Sequence, residues 1–236
     1  MTYSSAYFRK EPLVDDFSMS LEAAQMQKYD VIIDKLKLEG YEDILEIGCG
    51  WGGFAVRVAS RHPNVTWVVL TLSTEQADYA MKRVLSIPGA SANQYSVVLE
   101  DYRTYTDTHM GKFDRVVSIE MIEAVGREYF DLYFAQIRKN LKPVPSAVAG
   151  IQAITMPDHR FEAYALSVDF IQMYIFPGGL CPSVSCIVSS AAKARMWVEY
   201  CENFGLSYAK TLEIWNQTFQ ENWPEIKKLG FDDYFR

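Results

Sequence analysis

The chain has 236 residues, of which 49% are hydrophobic and 22% charged, and its formal net charge is -7. This balance excludes wholesale disorder, and an acidic chain is a poor general nucleic-acid binder, since phosphate contacts need clustered Lys and Arg. The four cysteines (Cys49, Cys181, Cys186, Cys201) lack C-x-x-C spacing and the three histidines lie far apart. That argues against a zinc site or a disulfide framework and for a reducing, cytoplasmic setting.

Residues 1–10 contain no apolar core of a secretory signal, and no apolar run reaches the ~18 residues of a membrane span. Membrane contact is therefore expected to be peripheral. Leu21 to Leu38 is predicted as an amphipathic helix that stops at Gly40. Asp43 to Ile47 is a short apolar strand, followed at once by a glycine turn and a helix from Phe54 to Arg61. Val65 to Leu72 is apolar without alternation, as expected of a strand covered on both faces. Ser73 with Gln76 three residues later marks a capping box for a helix to Leu85.

Tyr95 to Leu99, Phe113 to Ile119 and Ala147 to Thr155 are further strands, with a helix from Glu128 to Leu141 ahead of the last. This rhythm specifies an α/β fold with a mostly parallel sheet and helices on both faces. It breaks after Thr155. Met156 to Ser185 reads as an insertion or lid, Trp197 to Asn203 as a further strand, and Thr211 to Lys228 as a helix.

The chemistry centres on Glu46-Ile47-Gly48-Cys49-Gly50-Trp51-Gly52-Gly53. A strand entering a glycine turn and then a helix lets backbone N–H groups approach a ligand closely. A dinucleotide site would show G-x-G-x-x-G and an acid at the end of the second strand. Here the spacing is G-x-G-x-G-G, and the second strand ends Leu70-Thr71-Leu72-Ser73. The acid lies before the turn, at Glu46. That arrangement suits S-adenosylmethionine, a cofactor with an ammonium, a carboxylate and a sulfonium but no phosphate.

The chain resembles the cyclopropane-fatty-acyl-phospholipid synthases and their mycolic-acid methyltransferase relatives over nearly its whole length. The resemblance rests on Tyr3-Ser4-Ser5-Ala6-Tyr7-Phe8, the glycine turn, Thr71-Leu72-Ser73 with Gln76, and Asp101-Tyr102-Arg103. It continues through Met121-Ile122-Glu123-Ala124-Val125-Gly126, Tyr174-Ile175-Phe176-Pro177-Gly178-Gly179, and Thr211-Leu212 with Trp215 and Phe219.

The resemblance implies a Rossmann-like class I methyltransferase fold in a single domain over 1–236. Its parts would be cofactor-covering helices (1–40), a core (41–155), and a lipid-binding insertion with the C-terminal part (156–236). Tyr3 and Ser4 would close over the methionine end of S-adenosylmethionine, and Gly48 and Gly50 would form the floor beside Glu46. Thr71, Leu72 and Gln76 would take the ribose, and Asp101 and Tyr102 would flank the adenine. The substrate would be an unsaturated acyl lipid, lodged in an apolar tunnel under the insertion and the Trp215 helix. The resemblance also implies a bicarbonate base held around Glu123, the Ile154 backbone, Ser5 (where relatives often have Cys) and Gln152 (where many have His).

A Tyr and a Cys of that pocket, and the last strand of the sheet, are expected beyond Arg236, as is a covering segment before Met1. An exposed sheet edge would then favour a homo-oligomer. Methylation of a small amine, or a cofactor-binding subunit without activity, are the alternative functions.

Overall fold

Ile44, Leu45, Val69, Val116 and Val117 are wholly buried. Strands carrying them need cover on both faces, which a parallel sheet flanked by helices supplies. The computed structural model describes residues 2–11 and 14–236. It divides them into two units, one of residues 2–4 and 32–201, the other of residues 5–31 and 202–236. The elements in chain order are a two-stranded hairpin of β1 (Arg9–Glu11) and β2 (Val14–Asp15), α1 (Leu21–Leu36), β3 (Asp43–Ile47), α2 (Gly53–Arg61), β4 (Thr66–Thr71) and α3 (Thr74–Leu85). Then come β5 (Tyr95–Leu99), α4 (Tyr102–Thr108), β6 (Arg115–Ile119), α5 (Phe130–Asn140), β7 (Val148–Gln152), α6 (Asp158–Ala165), α7 (Val184–Lys193), α8 (Gly205–Glu221) and α9 (Trp223–Lys228).

In the first unit the five strands are all parallel and lie in the order β5-β4-β3-β6-β7. This is the Rossmann-like order in which the chain leaves the first strand to one side and later crosses to the other. The core joins Leu45, Ile47, Leu70 and Val116 of the strands to Tyr133 and Ile137 of α5. Each such side chain stabilises the fold by ~2 kcal/mol on burial. Arg115, buried at the start of β6, ties the sheet to the end of α1. Its guanidinium donates to the carbonyls of Leu36, Lys37 and Ser146 at 2.5, 3.1 and 2.9 Å. Carbonyls at a helix C-terminus have no partner within the helix, and here a cation supplies one.

In the second unit residues 5–8 lie outside helix and strand. Their buried N–H groups find acceptors on helices rather than on a strand: Ala6 N–H donates to Thr211 Oγ1 at 3.1 Å and Phe8 N–H to Ser207 Oγ at 3.0 Å on α8, and Tyr7 N–H to the Ala24 carbonyl of α1 at 3.1 Å. Ala6, Phe8 and Ala24 form a small core with Ile214 against it. Arg9 pairs with Asp15 and Glu202 at 2.8 and 2.9 Å.

The structure departs from the sequence expectations in three elements. Trp197 to Asn203 is not a strand: β-forming side chains there have no neighbouring strand to pair with, and Trp197 is exposed. The predicted helix from Glu128 starts as a 3₁₀ turn, Arg127–Tyr129, and becomes α-helical only at Phe130. The predicted Thr211–Lys228 helix begins earlier, at Gly205, and is interrupted at Asn222, where Pro224 opens α9. Among the described residues no helix is long and apolar enough to cross a membrane.

Candidate functional site

The residues singled out from the sequence of the first unit gather at the C-terminal ends of its strands. Gly48 follows β3, Thr71 ends β4 and Leu72 follows it, Asp101 follows β5, Glu123 follows β6, and Gln152 and Ile154 end and follow β7. Parallel α/β sheets bind ligands at this edge. A shallow hollow lined by Ala59, His62, Ser91 and Tyr95 lies at the opposite, N-terminal strand end and carries no cluster of reactive groups.

The glycine turn is built by close approach. Gly48, Gly50 and Gly52 all have left-handed φ, +86°, +49° and +73°. A Cβ at Gly52 would lie 2.7 Å from Ala80 Cβ and 2.9 Å from Ala80 Cα, so this glycine lets α3 pack against the turn. A Cβ at Gly50 would lie 3.2 Å from the Tyr3 ring, and one at Gly48 would lie 3.0 Å from Met121 Cγ. Tyr3 and Met121 thus stand over the two glycines. Trp51 is held by α3, where Arg83 donates to its carbonyl at 2.8 Å and Tyr79 meets its ring edge-on.

Glu46 is only 2% exposed and accepts from Trp67 Nε1 at 3.2 Å. Burial pushes its carboxyl up to about 8, against a smaller lowering from the Trp67 hydrogen bond. Burial likewise pushes the Cys49 thiol up to about 12, with Glu46 adding to it. Ser73 caps α3 by accepting from Gln76 N–H at 3.2 Å. The reciprocal half of the capping box is absent. Thr71 Oγ1 instead donates to Gln76 Oε1 at 3.2 Å, which brings the Gln76 side chain to the end of β4. Leu72 beside them is exposed.

Asp101 caps α4, accepting from Arg103 N–H at 2.8 Å and from its guanidinium at 2.9 and 2.7 Å. Arg103 holds its carboxyl below the usual range. Tyr102 is half-buried and meets Tyr133 edge-on at 5.8 Å.

A second cluster lies after β6 and β7. Glu123 Oε1 accepts from Ile154 N–H at 2.5 Å, and Leu180 N–H donates to the Glu123 carbonyl at 2.7 Å. Glu123 Oε2 is buried without a hydrogen-bond partner. Burial pushes this carboxyl up to about 7, and the negative charge of Glu120 adds to that. Gln152 Nε2 donates to Glu120 Oε1 at 2.7 Å, while Glu120 N–H donates to the Gln152 carbonyl at 2.8 Å. In the second unit, Ser5 is buried and its hydroxyl donates to the Ala6 carbonyl at 2.9 Å.

The family model for "Mycolic acid cyclopropane synthetase" matches residues 1–236. The chain belongs to this family. Tuberculostearic acid methyltransferase UfaA1 of Mycobacterium tuberculosis is 36% identical over 241 residues, covering 100% of this chain and 53% of that protein. The cyclopropane-fatty-acyl-phospholipid synthase of Escherichia coli K12 is 37% identical over 228 residues, covering 96% of this chain and 53% of that protein. The chain spans about half the length of these curated relatives. Among solved structures, mycolic acid cyclopropane synthase CmaA1 complexed with SAH and CTAB superposes with a TM-score of 0.81 at 28% identity, covering 99% of this chain and 80% of that one. The five-stranded sheet is therefore that of a class I methyltransferase.

Within this family frame two positions escaped the sequence reading. Glu120 sits beside Glu123 at three-residue spacing, a signal readable in the sequence. Its left-handed backbone, φ +49°, has none, because glycine is the residue that marks such positions. Met121 lies within a quoted motif, but its place over Gly48 follows from the fold alone.

Proposed function

We propose that the chain is an S-adenosylmethionine-dependent C-methyltransferase acting on the double bond of unsaturated acyl chains in phospholipids. The observation that carries this reading is the glycine turn closed over by Tyr3, with the buried carboxyl of Glu46 before it. The two glycines leave a cradle that a Cβ would fill, and Glu46, neutral below about pH 8, gains by ionising against an ammonium group. Tyr3, Ser4, Glu46, Gly48 and Gly50 would hold the methionine end. Thr71, Leu72 and Gln76 would take the ribose, and Asp101 and Tyr102 the adenine. When bound, the cofactor supplies an electrophilic methyl on sulfonium sulfur.

An alkene offers only its π electrons, so the site must tolerate a carbon cation and exclude water from it. Tyr102, half-buried where α4 follows β5, presents an aromatic ring near the strand ends, and an aromatic face stabilises such a cation by up to ~2 kcal/mol. The acyl chain needs an apolar surface. Leu166, Val168, Phe170, Ile171, Met173, Tyr174, Ile175 and Phe176 of the insertion are all at least half exposed. Such a run on one segment marks a binding surface for an apolar partner. The phospholipid assignment is further supported by the named activity of the E. coli relative and by the mycobacterial acyl-lipid enzymes.

The test is incubation with methyl-labelled S-adenosylmethionine and vesicles of phosphatidylglycerol carrying cis-monounsaturated chains, with free unsaturated fatty acid and small amines as separate arms. Label in the vesicle acyl chains is expected. Label only in the amine arm would overturn the reading. Calorimetric titration of Gly50→Val, whose side chain meets Tyr3 and fills the cradle, should show S-adenosylmethionine binding lost; unchanged affinity would remove the turn as the site.

A further inference from the structure

Glu46 is a buried acid with no cation to balance it among the described residues. Its carboxyl accepts a hydrogen bond from the neutral indole of Trp67 at 3.2 Å. In register on the flanking strands stand Val69 of β4 and Val117 of β6, both wholly buried. α2, whose Phe54 ring meets Trp67 edge-on, buries Phe54, Ala55 and Val58, and α3 buries Ala80 and Val84. The titratable groups that feel the charge of Glu46 are both acids: Cys49 in the turn, and Tyr95 on β5, whose hydroxyl is buried without a hydrogen-bond partner. Arg83 of α3 acts on Tyr95 but not on Glu46, and it donates to the Trp51 carbonyl at 2.8 Å.

A charge taken out of water without a partner is so costly that the group takes up a proton instead. An apolar residue of similar size would fill the same slot without that cost. A carboxyl kept there, beside a cradle shaped by missing Cβ atoms, is poised for a cation that arrives with a ligand.

We propose that Glu46 determines the specificity of the cradle for an ammonium-bearing ligand: it is protonated before the ligand arrives, and capture of the ammonium expels this proton to solvent. This deepens the cofactor reading above, on which it rests. The carboxyl O–H bond breaks with its electron pair left on oxygen, the proton passes to water, and the ammonium keeps all of its own protons. The ion pair so formed needs no direct contact, since charges in a buried site act strongly across one intervening water. A ligand with no cation at this position cannot hold Glu46 ionised, and the proton stays. Below the folded-state pKa of the carboxyl every binding event must displace a proton, so affinity falls as pH falls. The ligand's own amino group, mostly protonated at pH 7, can only take up a proton on binding, which has the opposite sign.

S-adenosylhomocysteine, which carries the same amino-acid part and transfers no methyl, is the probe. Its calorimetric titration at pH 7 in phosphate and in Tris, buffers of different ionisation enthalpy, counts the protons exchanged. Release of close to one proton per ligand is expected; enthalpies equal in the two buffers, or a net uptake, would overturn the proposal. Affinity should weaken ~10-fold between pH 7 and pH 6, and a constant affinity would overturn it. The deamino analogue of S-adenosylhomocysteine, with hydrogen in place of the amino group, should bind no more tightly at pH 7 than at pH 6. Proton release with this analogue would overturn the role of the ammonium. Glu46→Gln keeps an acceptor for Trp67 and should bind S-adenosylhomocysteine without releasing a proton, ~10-fold or more weakly than the unmodified chain at pH 8. Release that persists in this variant would assign the proton to another group and overturn the proposal. Binding without proton release overturns this inference alone, whereas no binding at any pH would overturn the cofactor reading and the inference with it.

Discussion

Replacing Gly52 by alanine tests how the turn is packed. The added Cβ would sit 2.7 Å from Ala80 Cβ and 2.9 Å from Ala80 Cα. The Cα belongs to the backbone of α3, so no side-chain rotation relieves the contact. Forcing a methyl into a close-packed interface costs ~1–3 kcal/mol. The left-handed φ of +73° adds ~1–2 kcal/mol for any residue with a Cβ. The expected loss is therefore about 3 kcal/mol, which for a chain of this size lowers Tm by roughly 6–12 °C. Gly178→Ala is the control. Its φ is +79° but nothing lies within 4 Å of the added Cβ, so only the backbone cost of ~1–2 kcal/mol applies. Calorimetric melting of both variants without cofactor separates the two contributions. Equal losses in Tm would show that α3 yields to the methyl at no cost, and the packing argument for Gly52 would fail.

Two further outcomes follow from buried polar groups. Glu46 has a folded-state pKa of about 8 against an ordinary 4.5, so the native state holds its proton while the unfolded state releases it. Its contribution to stability is full below pH 4.5 and is lost as pH rises to about 8. Glu46→Gln should therefore flatten urea-unfolding stability between pH 5 and pH 8 and exceed the unmodified chain at pH 8 by on the order of a few kcal/mol, and parallel pH dependences in the two proteins would contradict this. Thr211→Ala leaves the Ala6 N–H without its acceptor and should cost ~1–3 kcal/mol, whereas Thr211→Ser should cost much less. Equal urea midpoints for the two variants would mean that Thr211 contributes packing alone.

The central strands were legible because they are buried on both faces and so lack alternation, and Asp43–Ile47 coincides with the predicted bounds; the edge strand Tyr95–Leu99, half-exposed, also coincides with them. The shorter helices were not. Tyr102–Thr108 buries only Tyr105 and Thr106, and Val184–Lys193 buries the small residues Ser190 and Ala191. Neither pattern writes a large apolar stripe into the sequence. Trp197 to Asn203 failed for the opposite reason, since its propensity is for a strand but pairing is a property of neighbours. At the site, the glycine spacing and Glu46 were readable because covalent geometry and charge are local. The direction of the Gln152 amide and of the Glu123 carboxylate was not, because each depends on a residue about thirty positions away.

The hydrogen bonds from Ala6 to Thr211 and from Phe8 to Ser207 join residues about two hundred apart in the chain. A ribosome adds ~5–20 residues per second, so the first partner waits roughly 10–40 s for the second to be made. Throughout that time the N–H groups of Ala6 and Phe8 are left to water. The sheet of the first unit has its last strand, Val148–Gln152, well before α8 is made. The second unit is thus assembled from residues 5–31 and 202–236, and its closure follows the synthesis of α8. A stall in translation before α8 would leave residues 5–8 open to chaperones and proteases while the sheet is already formed.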